Sequence, residues 1–523
     1  MCPPMAFVLA PSPRSPVARK SSPCTLPTTT MRISKASALW AVLPALAQSK
    51  DCRPPVESAK LQELITADGL MGNLQKLHDI ATANGGNRAF GLPGYAASVD
   101  FIFNEISKLK SYNVWKQDLP AMFSLTTAAE TVIEGESWRT VALTYTPSTP
   151  KGGITREIVL GPEGAAGCDA ANYEGRGAAG KIVLVERGLC PDQTTFAGKL
   201  KAAAAAGAAS VLIYNLNEAQ LTGGSLTRPS PEYAPGVIVD RAPALAIKAR
   251  IEAGEKVEAF SNIQQLIEER ITQNVIAETK KGDPANVVML GAHLDSVQAG
   301  AGINDDGSGT SLILELAKGL SHFSTTNKVR FGWWAAEENG LWGSNYYVEQ
   351  LAASPEVDSL LCYVNFDMVS RGVHYVFDGT GDRAAPGGAP GSAAIEKLLA
   401  ESLIAQGKEI KPAGLTGGTD YVPFKNIINK PVGGLFTGTG IDEDPCYHQA
   451  CDNITNARPE LIYPNALAAA HALAVLAVDG TKLIPKSPAN ATIGRVRRLR
   501  DAGLGVKMDF SATHGKHCDH DLV

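Results

Sequence analysis

Hydrophobic positions recur at helical spacing in two segments near the start of the patterned part of the chain. Over 59–82 the apolar residues share one helical face, and Asn84-Gly85-Gly86-Asn87 ends that pattern. A second apolar face follows the Leu92-Pro93-Gly94 turn. The two predicted helices present Leu61, Leu64, Ile65, Leu74, Leu77 and Ile80, then Val99, Ile102, Phe103, Ile106 and Leu109. This pattern predicts the opening of an α/β domain.

From about residue 130 the chain changes to short strand-like runs between glycine-rich turns. The predicted elements are strands over 141–145, 158–160 and 181–186, a helix over 196–209 and a strand over 211–214. Cys168 and Cys190 lie in two loops of this segment, 22 residues apart. A disulfide between them would close a loop and contribute ~3 kcal/mol, the alternative being two unpaired buried thiols.

From about 265 to 480 the pattern is strand, loop and helix, repeated. The continuous apolar run over 287–292 is typical of a strand that is buried on both faces. Further strands are predicted over 329–336, 360–366 and 432–436, and helices over 310–320 and 341–351. The expected fold is α/β, with a mixed, mostly parallel central sheet flanked by helices. Ligands of such sheets bind beyond the carboxyl ends of the strands.

Composition narrows the class of protein. The chain has 523 residues, of which 44% are hydrophobic and 19% charged, and this balance excludes disorder throughout. A net charge of −5 gives no basic footprint for nucleic acid. We found no apolar run of the ~18 residues that a membrane-spanning helix needs. We therefore expect neither a nucleic-acid partner nor a membrane span.

The N-terminal residues predict a segment that is removed from the mature protein rather than a part of its fold. Residues 1–30 are rich in Pro, Ser and Thr, and we interpret them as an upstream extension before the true start at Met31. Residues 31–47 combine a short basic region, an apolar stretch and a small-x-small cleavage site, as a secretory signal peptide does. The alternative is a polar leader before a short core helix. Removal of residues 1–47 takes away five basic and no acidic residues, and leaves a net charge of −10.

Acidic and histidine side chains follow the predicted strands. Because the carboxyl ends of parallel strands meet at one edge of a sheet, we expect these side chains to converge. They are His293, Asp295, Asp305, Glu337, Glu338, Asp367 and, in a later loop, His448. Imidazole nitrogens and carboxylate oxygens are the usual ligands of catalytic zinc. The sequence therefore predicts a hydrolytic metal site.

The charge of this set favours two metal ions. Two Zn²⁺ bring +4, which three carboxylates and one bridging hydroxide balance. One carboxylate must then bridge ions that lie ~3.5–4 Å apart, and Asp305 in its glycine-rich loop is the natural candidate. Taken singly, His293 also fits a buried core histidine, Glu337-Glu338 a solvated helix start, and Asp367 a helix cap. Their joint occurrence at successive strand ends argues against these separate explanations.

Five motifs in this order resemble the co-catalytic dizinc aminopeptidases, in particular their fungal leucine aminopeptidase and vacuolar aminopeptidase branches. The motifs are 291–296, 302–309, 335–338, 365–368 and 446–448, and the segments 84–88 and 91–95 also match the fungal branch. The resemblance covers nearly all of residues 55–480. It implies that one zinc takes His293, Asp367 and the bridging Asp305. The second zinc would take Glu338, His448 and the same Asp305.

The resemblance also implies catalytic roles. Asp295 would orient His293, as metal-bound histidine usually requires. Glu337 would be the general base, and Tyr447 would donate a hydrogen bond to the tetrahedral oxyanion. The implied reaction is attack of a dizinc-bridged hydroxide on the first peptide carbonyl of a substrate with a free N-terminus.

Residues 130–260 resemble a protease-associated insert, of which the run over 181–188 and the Cys168/Cys190 pair are marks. By the same resemblance Cys446 and Cys451 form a short disulfide. The expected organisation is a peptidase domain over 48–130 and 263–486, an insert over 131–262 (hereafter the insert), and a tail over 487–523. Cys52, Cys362 and Cys518 are left unpaired by this assignment.

The resemblance bears on substrate and location as well. The segment 434–438 resembles the wall of an apolar first-residue pocket, which suggests Leu-like substrates, although a buried strand end is an alternative. Gly418 replaces an Arg that is usual in the family, so we expect altered substrate binding rather than lost catalysis. A secreted or vacuolar monomer is expected, with glycosylation at the sequons of Asn453 and Asn490. The rival functions are a carboxypeptidase or a glutaminyl cyclase on the same scaffold, and a non-catalytic binding ectodomain.

Overall fold

A computed structural model describes residues 53–191, 194–218, 220–439 and 442–486. All the elements below belong to one compact unit that begins at Pro54. The predicted N-terminal extension, signal peptide and C-terminal tail lie outside the described residues, as do Cys52, Asn490 and Cys518.

Ten α-helices occur in the described residues. They are α1 (Ser58–Gln62), α2 (Ala67–Ala83), α3 (Pro93–Ser107), α4 (Ala197–Ala205), α5 (Arg241–Glu252), α6 (Gly307–Leu320), α7 (Trp342–Ala352), α8 (Ser392–Ala405), α9 (Tyr421–Asn426) and α10 (Pro459–Leu483). Short 3₁₀ helices span Gly164–Cys168, Ala170–Tyr173 and Pro355–Asp358.

Fourteen strands in the same residues join into one connected sheet. They are β1 (Tyr112–Ile133), β2 (Glu136–Trp138), β3 (Thr140–Ala142), β4 (Ile154–Leu160), β5 (Ile182–Glu186), β6 (Ser210–Tyr214), β7 (Gly236–Val239), β8 (Glu258–Thr279), β9 (Asp283–His293), β10 (Asn327–Trp334), β11 (Leu360–Phe366), β12 (His374–Phe377), β13 (Ile410–Ala413) and β14 (Val432–Phe436). The order is β13-β12-β14-β11-β9-β10-β8-β4-β5-β6-β7-β3, with β1 paired to β8 and β2.

Strand β9 is an inner strand of the part of this sheet formed by β9 to β14, at whose strand ends the predicted site residues lie (hereafter the catalytic sheet). It pairs in parallel with β10 on one side and β11 on the other, as its unbroken apolar run predicted. Val288 and Leu290 belong to the hydrophobic core under α2, α3, α6 and α10, whereas Val287 and Met289 pack with residues of α7 and α9. Burial on both faces fixes the register, because a slip of one residue would exchange the two sets. The expected α/β fold class is confirmed.

Helix α10 is long and apolar enough to cross a membrane by length and composition alone. Its 25 residues include an 18-residue window with a mean hydropathy of 1.7, and 67% of that window is buried inside the protein. It packs against α8 and α1 and contributes to the core. The sequence shows no uninterrupted apolar run here, because Asn465, His471 and Asp479 interrupt it. Its burial is typical of a core helix.

A long two-stranded ribbon was not predicted. Strands β1 and β8 contain 22 residues each and pair antiparallel from Tyr112↔Thr279 to Ile133↔Ala259. At one end β8 pairs with β10, and at the other end it pairs with β4. The ribbon therefore connects the catalytic sheet to the sheet of the insert. Much of it is partly exposed on both faces, which weakens the alternation that marks a strand.

Two local predictions were wrong in extent. The pattern over 59–82 forms two helices, because Thr66 accepts a hydrogen bond from Gly69 N at 3.0 Å and caps the start of α2. The strand expected over 141–145 ends at Ala142, and Tyr145 adopts a positive φ of 71°. Its side chain is fully buried, and its hydroxyl lies 2.9 Å from the Asn339 carbonyl oxygen.

Candidate metal centre and active site

The predicted site residues lie at the carboxyl edge of the catalytic sheet. His293 is the last residue of β9, and Asp305 lies two residues before α6. Glu337 and Glu338 follow β10, and Asp367 directly follows β11. His448 lies in the loop before α10, which the Cys446–Cys451 disulfide closes. The second predicted disulfide, Cys168–Cys190, is also present, and Cys362 is a buried free thiol.

Asp305 lies between the two histidines. Its Oδ1 is 3.1 Å from His293 Nε2, and its Oδ2 is 3.1 Å from His448 Nε2. Each oxygen of one carboxylate therefore faces a different imidazole. This is the arrangement that a carboxylate bridging two metal ions requires.

Each histidine has a second carboxylate partner. Asp367 Oδ1 lies 3.5 Å from His293 Nε2, and Glu338 Oε2 lies 3.2 Å from His448 Nε2. Two groups result, His293-Asp305-Asp367 and Asp305-Glu338-His448, and in each the ligand atoms lie within 4.8 Å of one another. Glu338 Oε1 and Asp367 Oδ1 are buried without a hydrogen-bond partner. Buried oxygens without a partner and two imidazole nitrogens form a donor set that fits zinc.

Burial and like charge shift the protonation of this cluster. Burial would lower the pKa of His293, but Asp367 and Glu337 outweigh it and raise that pKa well above the ordinary value. The pKa of His448 is raised in the same way, against the effect of burial, chiefly by Glu338. Burial raises the pKa of Glu337 well above its usual range, and Asp420 adds to the shift. The negative charge of the carboxylates in this site therefore exceeds the positive charge that its own side chains supply.

The three residues with predicted catalytic roles all border this cluster. Asp295 Oδ1 accepts a hydrogen bond from Glu337 N at 3.1 Å and lies 3.6 Å from His293 Nδ1, beyond hydrogen-bond distance. Glu337 Oε2 is 4.0 Å from His293 Nε2. The ring of Tyr447 stacks on that of His448 with centroids 3.8 Å apart.

The backbone around the ligands is strained. Ala336, Met368 and His448 have positive φ values of 54°, 53° and 55°. Such values cost of order 1–3 kcal/mol for a residue with a Cβ and concentrate at functional sites. The first residue precedes Glu337, the second follows Asp367, and the third is a ligand candidate itself. The positive φ values thus occur at or directly beside three of the predicted site residues.

A chain of hydrogen bonds that the sequence did not reveal supports Asp367. Thr419 Oγ1 donates to Asp367 Oδ2 at 2.6 Å and accepts from Asn365 Nδ2 at 2.9 Å. Asn365 Oδ1 accepts from Tyr363 Oη at 2.9 Å, which in turn accepts from Trp334 Nε1 at 2.8 Å. The chain connects the core to a ligand candidate. In the sequence Thr419 directly follows Gly418, the position at which the chain departs from the family pattern.

Two further aspartates fix the loop that carries Asp305. Asp452 accepts hydrogen bonds from Asn304 N at 2.9 Å and from Asp305 N at 3.0 Å. Asp306 Oδ2 accepts from His293 N at 3.1 Å, and its Oδ1 accepts from Met368 N at 3.2 Å. Asp306 thus joins the ends of two neighbouring strands. Neither role was predicted, because each depends on backbone groups that are distant in sequence.

Arg88 is a fully buried cation beneath the same loop. Its Nε donates to Ala301 O at 2.8 Å, and its two terminal nitrogens donate to the carbonyls of Leu294 and Gly302. Among the described residues no carboxylate forms an ion pair with it. The sequence identified Arg88 only as part of the motif over 84–88.

Two cavities open from the cluster. The smaller, of about 40 Å³, is lined by Asp367, Met368, Phe377, Gly418, Thr419, Phe436, Thr439 and Tyr447. The larger, of about 190 Å³, is lined by Thr144, Gly223, Gly224, Ser225, Thr227, Val297, Glu337, Glu338, Gly340, Leu341, Gly418, Tyr447 and His448. Gly418 and Tyr447 border both cavities.

Two family models match the chain. The model described as Peptidase family M28 matches residues 274–473, which include all five ligand candidates. The model described as PA domain matches residues 154–247, within the segment predicted as the insert.

Curated relatives and solved structures agree with these matches. Leucine aminopeptidase 2 of Arthroderma otae is 37% identical over 474 residues, covering 87% of this chain and 93% of the relative. Probable leucine aminopeptidase 2 of Aspergillus fumigatus is 36% identical, covering 90% and 95%. The structure of an aminopeptidase from Aneurinibacillus sp. strain AM-1 is 25% identical with a TM-score of 0.68, covering 83% of this chain and 99% of that one. The resemblance inferred from the motifs is confirmed: the chain belongs to peptidase family M28.

Proposed function

We propose that this protein is a dizinc aminopeptidase that removes apolar, Leu-like residues from the N-termini of peptides, outside the cell or in a vacuole. The protein is a metallo-aminopeptidase, a hydrolase of peptide bonds. The observation that carries the proposal is the pair of ligand groups that share Asp305, beside two cavities that both border on Gly418 and Tyr447.

His293, Asp367 and Asp305 would hold one zinc ion, and Glu338, His448 and Asp305 the other. When bound, zinc lowers the pKa of a coordinated water and polarises the substrate carbonyl. Asp295 would position Glu337, because its Oδ1 accepts a hydrogen bond from Glu337 N. It would orient His293 through Nδ1, which lies 3.6 Å from the same oxygen. The unpartnered oxygens of Glu338 and Asp367 support this assignment of ligands.

Glu337 would act as the general base. It borders the larger cavity, is 9% exposed, and has a pKa that burial raises above its usual range. A carboxylate of raised pKa takes a proton near neutral pH and can return it to the leaving amine. Tyr447, at the junction of the two cavities, would donate a hydrogen bond to the oxyanion.

The smaller cavity would hold the first side chain of the substrate. Met368, Phe377 and Phe436 supply apolar surface there, which favours Leu-like residues over charged ones. Asp367 and Glu337 would supply negative charge for the free α-amino group. The residues that line the two cavities include no Lys or Arg, which a carboxypeptidase would need for a free carboxylate.

Other parts of the proposal rest on the sequence. The domain boundaries, the monomeric state and glycosylation of Asn453 remain predictions. Asn453 is half-buried, and its Oδ1 accepts a hydrogen bond from Thr455 Oγ1 at 2.8 Å, within the sequon.

Metal analysis combined with one substitution tests the proposal. We expect about two zinc ions per chain and chelator-sensitive hydrolysis of a leucyl-anilide. Glu337→Gln should retain the zinc and lose several orders of magnitude in kcat, whereas Glu460→Gln, at an exposed position on α10, should change neither. Full activity of Glu337→Gln would refute the role of base. A chain without bound zinc would favour a binding ectodomain, and activity restricted to free C-termini would favour a carboxypeptidase.

A further inference from the structure

The larger cavity has walls from both parts of the chain. Glu337, Glu338, Tyr447 and His448 form its catalytic side. The insert supplies the opposite side through Thr144, Gly223, Gly224, Ser225 and Thr227. A Cβ atom placed on Gly223 would lie 3.7 Å from Nδ1 of His448, so this loop reaches the metal-ligand candidates themselves.

Direct contacts hold the insert against the catalytic side. The Tyr145 hydroxyl lies 2.9 Å from Asn339 O and accepts a hydrogen bond from Trp342 Nε1 at 3.1 Å. The Arg228 guanidinium lies over the Trp342 ring, 3.5 Å from its centroid, and donates to Gly340 O at 3.3 Å. These contacts occupy the loop that follows Glu337 and Glu338. The insert is therefore a packed wall of the cavity at the reacting centre.

The two cavities define a direction for the substrate. The smaller lies beside Asp367 and is apolar, whereas the larger lies beside Glu338 and His448. A peptide whose first side chain enters the smaller cavity passes Tyr447, which borders both, and continues into the larger one. The residues after the cleaved bond then face the insert.

We propose that the insert binds the leaving part of the peptide and that the loop 223–227 makes the enzyme prefer peptides of two or more residues over single-residue amides. This inference rests on the proposed function of the same site. The wall from the insert is neutral, because Thr144, Gly223, Gly224, Ser225 and Thr227 carry no charged side chain. Such a surface contacts the main chain of a peptide and is indifferent to its side chains.

Gly223 is the position at which this role can be separated from folding. Its φ is outside the left-handed region, and an added Cβ would meet only His448, at an ordinary contact distance of 3.7 Å. Gly224, in contrast, would place a Cβ 2.7 Å from Leu143 and 3.0 Å from Phe196 in the core of the insert. A larger side chain at 223 therefore narrows the cavity, whereas one at 224 disrupts packing.

The test compares leucinamide with Leu-Gly-Gly, using the full-length zinc-loaded enzyme and Gly223→Val. Leucinamide releases only ammonia and leaves the larger cavity free. We expect kcat/KM for the tripeptide to fall by about tenfold or more, mainly through KM, while the value for leucinamide stays within about twofold. Gly72→Val is the matched control, because a Cβ at that position of α2 has no atom within 4 Å.

Zinc content is measured for each variant. If Gly223→Val lowers the zinc content, Gly223→Ala becomes the decisive variant, since its single added carbon lies 3.7 Å from His448 Nδ1. Equal losses on both substrates with zinc retained, or no loss on either, would overturn the inference. Failure of the wild-type enzyme to hydrolyse both substrates would instead refute the proposed function.

Discussion

Replacement of Arg88 offers the sharpest test of how the metal loop is held. Arg88 is completely buried and makes three hydrogen bonds, to the main-chain carbonyls of Leu294, Ala301 and Gly302. Asp295, Asp305, Asp306 and Asp452 surround its charge, and burial still lowers its pKa. Arg88→Met keeps most of the side-chain length while removing every donor and the charge.

The magnitude follows from the groups that would lose their partners. A buried polar group without a partner costs about 1–3 kcal/mol. The carbonyls of Leu294 and Ala301 would lose their partner, whereas that of Gly302 also accepts a hydrogen bond from Gly307 N at 3.0 Å. The methionine avoids the desolvation of a cation, which offsets part of that cost. We therefore expect a loss of at least about 2 kcal/mol in the free energy of unfolding, above the average of about 1 kcal/mol for a single substitution. Arg88→Lys should lower the free energy of unfolding by less than Arg88→Met does, because lysine keeps the positive charge but lacks the planar set of donors of the guanidinium group.

Urea unfolding of the metal-free protein measures this loss. Arg176→Met is the matched control, since Arg176 is exposed and its Nε donates to a single carbonyl, that of Asn172, at 3.0 Å. The control should lose less than about 0.5 kcal/mol. A loss for Arg88→Met of under ~1 kcal/mol, or one no larger than the control, would contradict the reasoning.

Two further predictions concern substrate binding and pH. Gly418→Arg should change KM for leucyl substrates, because residue 418 borders both cavities. It should also lower the free energy of unfolding by about 1–3 kcal/mol, because the φ of Gly418 is 87°. An unchanged KM would contradict the hypothesis that this glycine alters substrate binding. Burial lowers the pKa of Lys199 to about 8 from 10.5. Below pH 8 the charge is buried at full cost, and stability rises as pH increases from 8 to 10.5. Lys199→Met should therefore raise the Tm at pH 7, with a smaller gain at pH 10; an equal gain at both would contradict the assignment.

Much of the site was predictable because most of its acidic and histidine residues lie just after predicted strands. The run over 287–292 forms a strand buried on both faces, so the position of His293 follows from topology. Asp367 follows β11 in the same way. The sheet edge then brings together residues that lie far apart in the chain. Hydrophobic periodicity sufficed for this part, because each face of each strand packs against helices.

The residues that hold the ligands were not predictable by the same reasoning. The side chains of Thr419 and Asp452 each form two hydrogen bonds to residues distant in sequence, among them Asp367 and Asp305, which are 52 and 147 residues away. No periodic pattern marks such pairs. Gly223 has no side chain at all, so its place in the cavity wall depends on the packing of the insert. The ribbon was not predicted because much of β1 and β8 is partly exposed on both faces, so their sequences lack a clear alternation of apolar and polar residues.

That ribbon sets a distance as well as a connection. On β8, Ser261 pairs with the insert strand β4 and Val275 pairs with β10 of the catalytic sheet. At ~3.3 Å per residue the fourteen intervening steps measure roughly 46 Å. Loss of one residue from this span without a compensating bulge would turn the remaining side chains to the opposite face. The ribbon already contains one such bulge, at Thr127 of β1 between Thr126 and Ala128. A single-residue change in either strand therefore requires a second bulge, and changes of two residues are the ones that keep both faces of the ribbon.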